Sequence, residues 1–488
     1  MIPAQRTLFG QPRGLATLFF TEMWERFTYY GIQSILILFL VAASGRGGMG
    51  FDDQSASAIW GLYLGGTYLL SLLGGWVADQ LTGGRIAIAA GGVLITVGNT
   101  LLASGGTRLF FVGLVCNVLG VGLLKPNAST TVGALYPEGG SRRDAGFSIF
   151  YVGINIGSFF GPMFVPVLAR NYGWHAGFAL PAFGMLVGVT QFLLTRRYLG
   201  SAGAPPVSTS ARARLALWAV VAVIVAVMAL MLSGAVTIDP VTLASRVSWA
   251  VGLLLAGCLL YMAFFGGLTP AERGRVFAMM TLFAGSTLFW MAYMQIFGSL
   301  TLFTERYTDL DIFGWKMPAG DMQTVPPTYI ILLAPVFAAL WVRLGKRNRD
   351  LSSPAKFAWG LLLMAAGMLV MYIAALRVLH GHGSRVSPLW LIATYFLTAC
   401  GELCLSPVGL SATTKLAPAR FAGQTMGLFF LTLALGSFLA GLLSGNYNAQ
   451  HLETLPALYL TLFWWSAAGG VVMLLVTPPV KRLMAGVR

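Results

Sequence analysis

Residues 15–42 read LATLFFTEMWERFTYYGIQSILILFLVA, an apolar run broken by three charges, Glu22, Glu25 and Arg26. At roughly 1.5 Å rise per residue, a helix of that length exceeds the ~30 Å hydrocarbon core of a bilayer. An ionisable side chain deep in such a helix costs about 2.5 to 3.5 kcal/mol on insertion scales, so those that remain face a cavity or a partner. Glu22 and Arg26 are four apart, as are Glu25 and Tyr29, and Arg26 and Tyr30, which puts all of them in one polar patch over two turns. The patch is one positive charge short of neutral. One carboxylate stays ionised beside the guanidinium, while the other, desolvated and next to a like charge, gains affinity for a proton. That is how a proton carrier is built; the plainer alternative is a static salt bridge that packs two helices.

Apolar runs of about 20 residues, enough to span a bilayer, recur along the whole chain. They fall at 15–42, 56–78, 86–104, 109–134, 146–169, 176–195, 215–234, 247–266, 277–303, 326–342, 356–376, 388–413, 421–443 and 456–477, fourteen in all. Hydrophobic residues make up 57% of the 488 and charged ones 10%, against roughly 25% charged in an average soluble domain, which argues against a soluble core. The net charge of +15 raises the question of nucleic acid, and the position of the charges answers it. With the N-terminus in the cytoplasm, twenty-one of the 31 Lys and Arg lie on that side, eight on the other, and Arg26 and Lys125 within spans. This positive-inside bias predicts both termini in the cytoplasm and removes nucleic acid as a partner, because no base-stacking aromatics interleave with the basic residues. The opening MIPAQRTLFGQPRG lacks the apolar core of a cleaved signal peptide, so the first span is expected to be its own insertion signal. Cys116, Cys258, Cys400 and Cys404 all fall in spans, which predicts packing roles and no disulfide framework.

The spans group as six, two and six. The Ala-, Pro- and Ser-rich basic stretch after the sixth divides the chain into an N-terminal bundle, 1–197, a linker with two extra helices, 198–270, and a C-terminal bundle, 271–488. The extra pair has no acidic or basic residue inside its membrane portion and is expected to be plain lipid-facing helix. Carriers built from related halves hold substrate near the midplane, where corresponding helices are interrupted by Gly and Pro. Leaving out the pair, the fourth span contains GVGLLKPNAST and the tenth CGELCLSPVGLS, and each has one full charge, Lys125 and Glu402. Their opposite signs allow them to pair when empty, or to receive the carboxylate and the amine of a zwitterion; two extended residues span roughly 7 Å. A purely structural bridge is the alternative.

These motifs resemble those of bacterial members of the proton-dependent oligopeptide transporter family, within the major facilitator superfamily, and the resemblance covers nearly the whole chain. Residues 22–30, EMWERFTYY, resemble the ExxERFxYY signature of the first helix. Residues 74–85, GGWVADQLTGGR, resemble the superfamily's loop between helices two and three, 147–158, FSIFYVGINIGS, the fifth-helix signature, and 401–410, GELCLSPVGL, the tenth-helix one. The resemblance implies an all-α integral membrane fold of two six-helix bundles with an added pair. It implies a symporter, not an enzyme, that brings di- and tripeptides across a bacterial cytoplasmic (inner) membrane by alternating access. Its partners would be peptides, protons and the bilayer, with no cofactor, no metal and no obligate protein partner. Glu22, Glu25, Arg26 and Glu402 would handle the proton; Tyr29, Tyr30, Tyr68, Lys125, Asn155, Trp290, Glu402, Ser406 and Phe429 would contact the peptide.

Departures from the family pattern carry their own expectations. Where members often have an arginine after YYG this chain has Gln33, and where FWxxxEQ supplies a carboxylate it has Met294. Losing both ends of that outer pair leaves no buried orphan and shifts proton handling toward the first helix and Glu402. Pro326 stands before Pro327 where an asparagine is usual, and Phe429 stands for a tryptophan; both reduce polar or aromatic contacts in the pocket. His175, His380, His382 and His451 fall at or beyond the outer ends of spans, as loop histidines. Cys400 and Cys404 lack further ligands for a metal. A carrier of another small solute, such as an organic anion, nitrate or a drug, is the alternative function. An enzyme is disfavoured because Ser406 and Ser411 have no nearby histidine in sequence.

Overall fold

The structure, a computed structural model, describes residues 7–8, 10–137, 140–206, 209–234, 239–312, 314–347, 351–445 and 452–484. Arg6, Arg349 and Arg488 of the charge tally, and His451, lie outside these residues. The helices are α1 (Arg13–Val41), α2 (Asp53–Val77), α3 (Gly84–Ala103), α4 (Thr107–Ala134), α5 (Gly140–Tyr172), α6 (Trp174–Thr195), α7 (Ala211–Ser233), α8 (Pro240–Phe265), α9 (Pro270–Tyr293), α10 (Ser299–Tyr307), α11 (Val325–Lys346), α12 (Ser353–His380), α13 (Leu389–Leu416), α14 (Ala422–Ser444) and α15 (Thr454–Leu483). Among the described residues, thirteen stretches are long and apolar enough to cross a membrane. The helix α1, which carries the three charges, is not among the thirteen but matches them in length at 29 residues.

Two expectations about helix continuity change. The interruptions expected in the fourth and tenth spans are absent: α4 runs through Pro126 and α13 through Pro407. A helical proline leaves one carbonyl four residues back without its donor. In α4 that carbonyl is Gly122's; the next one, Leu123's, accepts from the Asn127 side-chain amide at 2.7 Å, and the same nitrogen donates to the Gly74 carbonyl of α2 at 3.0 Å, tying this turn to its neighbour. Conversely, the run 277–303 is broken: α9 ends in a tight turn, Met294–Phe297, and α10 restarts after Gly298. Gln295, fully buried, secures the break. Its carbonyl oxygen accepts from Ser299 Oγ at 2.6 Å and Ser444 Oγ at 2.7 Å, and its amide donates to the Ala440 carbonyl at 3.2 Å.

Helix contacts gather into two units, Met1–Gly50 with Gly66–Ile238, and Phe51–Gly65 with Asp239–Arg488. In the first, α1 packs on α5 and α6, and α3 on α4 and α6. Inside a bilayer no hydrophobic force separates helix from lipid, so close van der Waals contact through small residues holds helices together. A Cβ on Gly91 would stand 2.6 Å from the Gly120 carbonyl oxygen, and one on Gly98 2.7 Å from that of Gly113. Gly153 and Gly157 of the fifth-helix signature, and Gly161 just beyond it, do the same for α5 against α1. A Cβ on Gly157 would lie 2.7 Å from Phe27 N and 2.8 Å from Arg26 Cβ, so the glycine is there to bring α5 against the charged turn.

In the second unit α12 packs on α13 and α15, and α14 on α8 and α9. The first half of α2 belongs here as well. Asp53 in its first turn takes both terminal nitrogens of Arg306 of α10, at 2.7 and 2.8 Å, a bidentate geometry that orders both partners. The added pair is unequal: α7 has no buried residue, whereas α8 buries Ala244, Ser248, Val251, Leu255, Leu259 and Met262, a three-and-four spacing that makes one packed stripe. Lipid-facing therefore describes α7 and only part of α8.

Gly157→Leu is expected to lower the melting temperature of the detergent-solubilised protein, because overpacking costs about 1 to 3 kcal/mol. Gly75→Ala, where a Cβ meets open space, should leave it unchanged. Equal melting of the two variants would contradict the close approach of α5 to α1.

Candidate functional site

The first-helix charges lie out of water. Glu22 is 2% exposed, Glu25 0% and Arg26 3%. Arg26 Nε stands 3.3 Å from Glu22 Oε1 and makes a closer, charge-assisted bond to Glu25 Oε2. The four-residue pairing expected from spacing is thus present but is the looser of the two contacts. Glu22 Oε2, Glu25 Oε1 and Arg26 Nη2 are buried and have no hydrogen-bond partner. Buried polar atoms left this way are costly and mark a site that changes state or takes a further partner. The Arg26 guanidinium sits 4.8 Å from the centre of the Tyr29 ring, within cation–π range. Tyr29 in turn meets Tyr30 edge-on at 5.3 Å and places its hydroxyl 3.5 Å from Thr67 Oγ1 of α2.

Lys125 enters the same cluster from α4. Its Nζ lies 4.2 Å from the centre of the Tyr68 ring and 5.9 Å from that of Tyr29. The charge missing from the α1 patch is therefore supplied by α4, and two carboxylates face two cations around Tyr29. From sequence, Lys125 was matched only with Glu402. Asn155 of α5, 9% exposed, spends its amide on the Tyr151 carbonyl of its own helix at 2.8 Å.

The remaining expected residues belong to the second unit. Glu402 of α13 is half-buried, with Oε2 shielded and unpartnered, and Tyr293 of α9 is within hydrogen-bonding reach of it. Trp290 packs edge-on against Tyr293 at 5.2 Å and against Phe289 at 5.5 Å, and its indole N–H has no partner. Ser406 is half-buried one turn beyond Glu402. Phe429 of α14 is buried against Phe283, with ring centres 5.8 Å apart. Thr67 and Tyr293 are the residues that motif reading missed; Tyr293 had a signal, because it stands three after Trp290 on one helix face. Gln33 and Met294 are both buried and both neutral, and Gln33 Oε1 has no partner. Pro326 and Pro327 fall in the first turn of α11, where a missing N–H costs little.

The chain as a whole is similar to known proteins. The model of the POT family matches residues 85–458. Peptide transporter YePEPT of Yersinia enterocolitica is 40% identical over 99% of this chain and 97% of its own length. A di-/tripeptide transporter of Lactococcus lactis subsp. lactis is 37% identical over 88% of each chain. Among solved structures, a mutant of peptide transporter POT in complex with alafosfalin superposes with a TM-score of 0.91 at 40% identity, covering 99% of this chain and 98% of that one.

Arg26→Ala is expected to cost about 3 to 5 kcal/mol, the loss that follows when a buried pair is broken and a charge is left uncompensated. Glu22→Gln, which removes only the longer contact, should melt closer to the unmodified protein. The reverse order of melting temperatures would overturn the assignment of Glu25 as the principal partner of Arg26.

Proposed function

The chain belongs to the POT family, and from that premise we propose that it is a proton-coupled symporter, carrying di- and tripeptides inward across the cytoplasmic membrane by alternating access, with both termini in the cytoplasm. The single observation that carries the reading is the buried set of Glu22, Glu25, Arg26 and Lys125 around Tyr29. With both carboxylates ionised the set is balanced. Glu25 holds Arg26 by the shorter contact, which leaves Glu22 as the carboxylate that accepts a proton with least disturbance. Its protonation leaves one positive charge in excess, and an unbalanced buried charge is costly. Lys125 then takes the carboxylate of an incoming peptide, while Glu402 takes its amine. Release of the proton restores the internal balance and frees the peptide. Tyr29, Tyr30, Tyr68, Asn155, Trp290, Ser406 and Phe429 are the further residues we assign to contact with the peptide, and the functional organisation is that of the segments 1–197, 198–270 and 271–488.

The driving force is adequate: about 2.3 kcal/mol for each charge crossing 100 mV, and about 1.4 kcal/mol for each pH unit. In proteoliposomes, an inside-negative, acid-outside gradient should accumulate a labelled dipeptide above the level of an ungated control; its absence would end the proposal. Glu22→Gln should spare counterflow exchange and abolish gradient-driven uptake, whereas equal loss of both would make Glu22 merely structural. Lys125→Ala should weaken binding of peptides with a free C-terminus by about 10- to 100-fold, the value of a charge-assisted hydrogen bond, and leave C-amidated peptides unaffected. Displacement of dipeptide by nitrate or simple organic anions, but not by a second dipeptide, would favour the alternative cargo.

A further inference from the structure

We infer that the first unit carries a binding site for the phosphate of an anionic phospholipid at Arg85 and Arg196, where α3 begins and α6 ends. Arg85 lies in the first turn of α3 and is held in place by the segment after α6. Its Nε donates to the Ala202 carbonyl at 2.7 Å and its main-chain N–H to that of Gly203 at 3.0 Å. One terminal nitrogen, Nη2, is buried and has no hydrogen-bond partner. Arg196, exposed, opens the same segment after α6 whose Ala202 and Gly203 carbonyls hold Arg85, which brings its charge to bear on Arg85. Among the described residues no carboxylate lies within ion-pair distance of either. Two neighbouring guanidiniums, one with a shielded unused donor, make a site that an oxyanion completes, since charge-assisted bonds to phosphate satisfy both the donor and the repulsion.

A soluble phosphate and a lipid headgroup share this chemistry, and the surroundings favour the lipid. Ile86, next to Arg85, is 48% exposed, and Leu194, two residues before Arg196, is 70% exposed. Both belong to membrane-spanning helices, so the cations sit at the rim of a hydrocarbon-facing surface. Tyr198, with the Arg197 guanidinium 5.2 Å from its ring centre, adds the amphipathic aromatic typical of the headgroup level. Basic residues at that level attract anionic lipids, and the attraction is lost residue by residue when the charge is removed.

The test is native mass spectrometry of the purified full chain with phosphatidylglycerol and phosphatidylcholine in equal amounts. The unmodified protein should retain phosphatidylglycerol preferentially. Arg196→Gln, an exposed position that does not threaten folding, should reduce that preference about fivefold, and Arg85→Gln likewise. Arg212→Gln, an exposed basic residue at the start of α7, should change it less than twofold. An unchanged preference in Arg196→Gln would overturn the site. An equal fall in Arg212→Gln would reduce it to general surface charge, and displacement of the lipid by inorganic phosphate would make it a soluble-ion site; either outcome also overturns the proposal.

Discussion

The constraint on which the rest of the structure depends is electrical. Glu22, Glu25, Arg26 and Lys125 are held inside a membrane protein, where the desolvation of each ion costs several kcal/mol unless an opposite charge and hydrogen bonds offset it. The set therefore has to be brought together from more than one helix and kept at fixed spacing. The ring of Tyr29 lies within 6 Å of both cations and gives them a polarisable surface without adding a charge. The two carboxylates are not equivalent, because Glu25 makes the close contact with Arg26 while Glu22 stands at 3.3 Å. An internal balance that one proton can tip is the physical content of the proposed coupling.

Close backbone packing makes that balance possible. Gly157 lets α5 press against the turn that carries Arg26, and the paired glycines of α3 and α4 fix the helix from which Lys125 projects. In the second unit, Gln295 pins the break after α9, and Arg306 binds Asp53 at the start of α2. The outer positions Gln33 and Met294 carry no charge, so neither adds to the electrostatic account of the first helix.

Much of this was legible in the chain. Length and apolar runs identified the spanning helices, and the motifs at 22–30, 147–158 and 401–410 pointed to the family. Spacing alone also located the α1 patch, though it left open which carboxylate is the partner of Arg26. Side chains one position apart point about 100° from each other on an ideal helix, and only the bending of two long side chains makes the Glu25 contact the shorter. The neutrality of the cluster was not legible, because Lys125 approaches through tertiary packing from a helix about 100 residues later. Proline was misleading: Pro126 and Pro407 sit inside continuous helices, while the real break comes at Gly298, set by the buried amide of Gln295. Arg85 read as one residue of a loop motif, and only its unused buried nitrogen and the proximity of Arg196 distinguish it.

The central claim is that Glu22 is the carboxylate whose protonation changes when peptide binds. Infrared difference spectroscopy of the reconstituted protein, with and without a dipeptide, reads this in the carboxylic C=O band. The account predicts a difference band that disappears in Glu22→Gln and persists in Glu402→Gln. A band that survives unchanged in Glu22→Gln would contradict it.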